Sequence, residues 1–139
     1  MSFWQSLYIT VLLNGIMPTL IACLSTGKGT WLEVSKILKS QDWNKVFLIT
    51  NQFGKENFNP LSDNVNLVVI DTLKETDDLV EDIKKGLKNQ FNDFEIALNL
   101  ASGSGKEHMA LLEAVLELGC NFRLVTLKKE QYNILGLKA

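Results

Sequence analysis

Five short apolar runs constrain this chain more than any other feature: Ile21–Leu24, Val46–Ile49, Leu67–Ile70, Ile96–Leu100 and Phe122–Leu127. Most lack the alternation of a strand with one wet face, so they suit a parallel sheet covered on both sides. Helix signals fall between them. Thr30 and Glu33 have capping-box spacing at the head of Trp31–Lys39. Asp77–Lys88 puts Leu79, Val80, Ile83 and Leu87 on one stripe, with charges opposite. Ser104 and Glu107 repeat the box before Gly105–Leu118, a helix apolar on more than one face and expected to be the most buried. Gly119 then stands in the stop position. Asn51–Asn64 is rich in turn formers and reads as a loop without a helix. The prediction is an α/β fold, a single Rossmann-like doubly wound domain with a mainly parallel sheet of five or six strands. It spans residues 17–139, the last twelve leaving room for a short strand or tail.

Residues 1–16 form an apolar N-terminal extension, and the first 27 residues carry no charged side chain. Ser2–Ile16 is about 15 residues long, against roughly 20 needed to span a bilayer. It also lacks the basic start of a secretory signal. Three explanations stand: an upstream in-frame extension with Met17 as the natural start, an arm packing on the domain or a second copy, and a short membrane anchor.

Composition removes several function classes. The net charge is −2 and Arg123 is the sole arginine. Duplex-DNA binding by counterion release and bidentate arginine clamps are therefore disfavoured. Phosphate recognition would rest on backbone amides, hydroxyls and lysines. His108 is the sole histidine, and the two cysteines, Cys23 and Cys120, form no ligand cluster. They read as buried, reduced thiols of a cytoplasmic protein, with no metal and no cofactor implied.

Two turns carry the functional signal. Ser25-Thr26-Gly27-Lys28-Gly29-Thr30 follows the first apolar run, and Ser102-Gly103-Ser104-Gly105-Lys106 follows the fourth. In a 3-2-1-4-5 strand order these two strands are neighbours at the topological switch point, where ligands bind outside the carboxyl ends. Each turn then offers backbone N–H groups and a positive helix end to an anion. Lys28 and Lys106 would supply charge; Ser25, Thr26, Ser102 and Ser104 would supply hydroxyls. Neither turn is a standard fingerprint. The Walker pattern fails at Leu100 and Glu107, and the dinucleotide pattern lacks a glycine at Leu32. Each turn read alone is also an ordinary βα connection.

Further candidates border the turns. Asn99 interrupts an apolar strand and must be hydrogen-bonded, either holding the turn or touching ligand. His108, one turn into its helix, either faces the ligand or lies on the helix surface. Asn51 and Phe53 follow the second run at the same sheet edge, where Phe53 either stacks on a base or packs on the domain. Trp31 and Trp43 read as core or lid residues.

The segment ALNLASGSGKEHMALLEAVLELG, with Ser102–Lys106 as its turn and Met109 early in its helix, resembles the hallmark of the CRISPR-associated Rossmann fold (CARF) family. Ser25-Thr26-Gly27 matches that family's other motif. The likeness spans about Met17–Leu127, and Gly-Ser-Gly-Lys stands where a Gly-Gly-Thr-Lys-like run is usual. The resemblance implies a homodimer that binds a cyclic oligoadenylate across its two-fold axis. It also implies a stand-alone, metal-independent ring nuclease, in which a ribose 2′-hydroxyl attacks the adjacent phosphate. Lys106, Ser25 and Thr26 would be its catalytic residues. Gly27, Lys28, Asn51, Asn99, Ser102, Gly103, Ser104, Gly105 and His108 would complete the ligand site. Two alternatives stand beside it: a non-catalytic sensor acting through a partner or membrane, and a general nucleotide or small-anion binder.

Overall fold

The computed structural model describes residues 2, 4, 5, 18–25, 29–59 and 62–136. The expectations for residues 6–17 lie outside these residues. The described chain runs β1 (Leu20–Leu24), α1 (Trp31–Ser40), β2 (Val46–Thr50), α2 (Gln52–Asn57), β3 (Val65–Val69), α3 (Thr76–Leu87), β4 (Glu95–Asn99), α4 (Gly105–Glu117), β5 (Asn121–Lys128) and β6 (Gln131–Ile134). The strands form one sheet in the order β3-β2-β1-β4-β5-β6. β1 to β5 are parallel, and β6 returns antiparallel on β5. This is the doubly wound α/β architecture expected.

The missing alternation in the apolar runs has a direct cause. Ile21, Cys23, Phe47, Ile49, Ile96 and Leu98 face α3 and α4, packing on Leu79, Ile83, Leu111 and Val115. Leu20, Ala22, Leu24, Leu48 and Ala97 face the other way, onto Trp31, Val34 and Ile37 of α1. Every residue of β1 and β2 is buried, so both pleat faces must be apolar. Asp93 fixes the entry to β1: its Oδ2 accepts from the Thr19 amide at 2.5 Å, its Oδ1 from the Thr19 hydroxyl at 3.0 Å.

Three local expectations change. Asn51–Asn64 contains the short helix α2, capped by Asn51 Oδ1 accepting from the Gly54 amide at 2.9 Å. The Thr30 capping box does not form. Thr30 is already helical (φ −86°, ψ −12°), so its hydroxyl is not aimed back at the first turn and makes no capping hydrogen bond. α4 buries Ala110, Leu111, Ala114 and Val115 on one face, while Met109 and Leu116 remain 64% and 60% exposed. It still buries more residues than any other described helix, as expected, and leaves its second apolar face open. Cys120 is only half-buried.

The end of α4 follows the sequence closely. Gly119 takes φ 76°, its amide donates to the Leu116 carbonyl at 3.0 Å, and the Cys120 amide reaches the Val115 carbonyl at 3.1 Å. That pairing is a Schellman stop. Among the described residues no helix is long and apolar enough to cross a membrane.

Candidate functional site

Because β1 pairs with β4, Ser25 at the end of β1 lies beside the turn that follows β4, at the carboxyl edge of the sheet. Their contact is direct. The Ser25 amide donates to Ser102 Oγ at 3.2 Å, and both residues are buried. Ser25 is also gripped from the other side, its carbonyl accepting from the Trp31 indole N–H at 2.6 Å. Thr26, Gly27 and Lys28 lie outside the described residues.

The turn after β4 is heavily cross-braced. Asn99 Nδ2 donates to the Val125 carbonyl at 2.8 Å, and its Oδ1 accepts from the Ala101 amide at 3.2 Å. The buried amide thus links β4 to β5 and shapes the turn. His108 Nε2 lies 2.7 Å from the Ser102 carbonyl. A carbonyl only accepts, so Nε2 carries the proton and Nδ1 is the other ring nitrogen. Lys106 Nζ donates to the Thr72 carbonyl at 3.1 Å, bringing the segment after β3 into the same edge. Its ammonium keeps further donor capacity, because one bond uses one of three protons.

The Ser104 capping box is complete. Ser104 Oγ accepts from the Glu107 amide at 3.3 Å, and Glu107 Oε1 accepts from the Ser104 amide and hydroxyl at 3.4 and 3.1 Å. This draws the Glu107 carboxylate under the turn, where it is 6% exposed and its Oε2 has no hydrogen-bond partner. Gly103 (φ 101°) fits over it. A Cβ there would sit 3.1 Å from Glu107 Oε2, 3.2 Å from His108 Nε2 and 3.3 Å from the Cys23 Cβ. Burial, with the Glu107 charge nearby, pushes the Cys23 thiol up to about 12. Cys23 is therefore a packing thiol, not a nucleophile. Gly105, by contrast, opens the helix start outward, since a Cβ on it would meet nothing within 4 Å.

Asn51 and Phe53 stand at the same edge through α2. Gly54 makes that placement possible: a Cβ would fall 1.8 Å from Thr50 Oγ1 and 3.2 Å from the Leu24 carbonyl. Only glycine lets α2 settle on the carboxyl ends of β1 and β2.

The structure thus joins Ser25, Ser102, Gly103, Ser104, Gly105 and His108. It turns Lys106 toward Thr72 and Asn99 toward β5, and uses Asn51 as a helix cap. Sequence reasoning missed Glu107, Trp31 and Thr72 as site residues. The capping-box spacing was the signal for Glu107; nothing local marks Thr72. Among the described residues no cluster of His, Cys, Asp and Glu could hold a metal ion. No family model and no curated protein matches the chain.

Proposed function

We propose that this chain is a cytoplasmic, homodimeric, CARF-like protein that binds a cyclic oligoadenylate at the carboxyl edge of β1 and β4. The observation that carries the reading is the Ser25–Ser102 contact, which sets the end of β1 against the glycine-containing turn after β4 at the switch point. Gly105 leaves the head of α4 open to an anion. The outer face of α4, with Met109 and Leu116 exposed seven residues apart, supports a second copy docking there.

On this reading the protein is a ring nuclease. The site holds a ribose 2′-hydroxyl in line with the neighbouring phosphate, and Lys106 places positive charge where the phosphorane develops. Ser25 orients the phosphate from the β1 side, with Thr26 assigned the same role by the family resemblance alone. As the O2′–P bond forms the P–O5′ bond breaks; the 2′-hydroxyl gives its proton to solvent and the leaving O5′ takes one up, so the opened chain ends in a 2′,3′-cyclic phosphate and a 5′-hydroxyl.

A non-catalytic sensor is the second reading. Lys106 already donates to Thr72, Asn99 is bonded through both its nitrogen and its oxygen, and the Glu107 carboxylate lies beneath the turn. Such bracing suits holding a ligand better than turning it over.

Incubation with cyclic tetra- and hexa-adenylate in EDTA, followed by chromatography and a binding titration, separates the readings. Linear products, lost in Lys106→Ala, indicate a ring nuclease. Persistent binding of intact ligand indicates a sensor. Absence of both removes the proposal.

A further inference from the structure

We propose that Phe53 is the platform on which a nucleobase of the ligand stacks; this rests on the reading above. Phe53 lies on the first turn of α2, at the sheet edge that carries Ser25. It is 39% exposed, with its ring centroid 5.7 Å from that of Trp31 and tilted by 50°. Trp31 is itself fixed. It is buried, meets Phe58 edge-on at 5.9 Å, and donates its indole N–H to the Ser25 carbonyl. One indole therefore separates the backbone of the β1 turn from the Phe53 ring.

The platform is also held from below. Gly54 seats α2 against Thr50 and the Leu24 carbonyl, and Asn51 caps the helix, so Phe53 has little freedom to shift. A ligand with phosphate at the Ser25–Ser102 junction would extend its base along the Trp31 side, toward Phe53. Stacking of a base on a pre-positioned aromatic is favourable for any base, because each has a π face. Phe53 therefore contributes affinity for base-bearing ligands and leaves the choice of base to other groups.

The test compares wild type with Phe53→Leu, which keeps an apolar cover over Trp31 but removes the aromatic face. Cyclic tetra-adenylate and adenosine monophosphate are the base-bearing probes, and ribose 5-phosphate is the base-free one. A urea titration first confirms that the variant is folded, and Phe53→Met serves as a second variant if it is not. The expected result is about tenfold weaker binding of both adenine ligands, with ribose 5-phosphate unaffected. Unchanged adenine binding overturns the inference while the cyclic-nucleotide reading stands. Equal weakening of all three ligands also overturns it, because the ring would then act through the fold. If wild type binds none of the probes, the underlying reading fails and the inference goes with it.

Discussion

The Ser25 backbone N–H donates to Ser102 Oγ across 3.2 Å, joining the end of β1 to the turn after β4 from positions 77 residues apart. Both groups are buried, so removing the hydroxyl strands a donor away from water. Ser102→Ala is expected to cost about 1–3 kcal/mol. Urea unfolding checks this as a lower midpoint at unchanged slope, and an unchanged midpoint would mean that the contact contributes nothing.

Gly54 and Thr50 form a steric pair. A Cβ at Gly54 would lie 1.8 Å from Thr50 Oγ1. Gly54→Ala should destabilise by about 1–3 kcal/mol, the usual cost of overpacking a tight contact. Thr50→Ala in the same chain should recover much of that loss, giving a clear coupling in a double-mutant cycle. Additive losses would place the strain elsewhere.

The Cys23 thiol supplies a pH signature. Its value rises from 9.0 to about 12 on folding, through burial first and the Glu107 charge second. Between these values the unfolded chain has lost the proton and the folded chain keeps it. Stability from this group is therefore full below pH 9 and falls as pH rises toward 12. Unfolding of Cys23→Ala should show a shallower decline over that window than wild type. A thiol reagent should meanwhile modify half-buried Cys120 in the native protein and Cys23 only after unfolding.

Glu107 places a carboxylate under the turn proposed to receive phosphate. Glu107→Gln keeps an acceptor for the Ser104 amide and removes the charge. Phosphate-bearing ligands should bind about fivefold more tightly to this variant, with a larger gain at low salt. Equal affinity at all ionic strengths would place the ligand away from the head of α4.

The sheet was legible because its residues have no choice. Strands buried on both faces, such as Leu20–Leu24, must be apolar throughout, and the helix signals between them force parallel crossovers. The Ser104 box and Gly119 stop were legible because both act within one turn of chain. Helix α2 was not, because Gly54 is required by Thr50 and the Leu24 carbonyl rather than by its neighbours in sequence. The sequence left room for β6, but its hairpin turn was hidden for another reason. Lys129 and Glu130 take φ of 52° and 65°, positions where Asn-Gly would announce a turn. At the site, residue types were readable but directions were not. Lys106 reaches Thr72 and Asn99 reaches Val125 through contacts that only the assembled sheet creates.

The proposed ligand, a cyclic nucleotide, would occupy the edge where β1 and β4 meet. An amide-resolved NMR titration with cyclic tetra-adenylate would locate it. The largest shifts are expected at Ser25, Ser102–Lys106 and Phe53, with the β6 hairpin unmoved. Saturable shifts confined to any other surface, or no shifts at all, would contradict this placement.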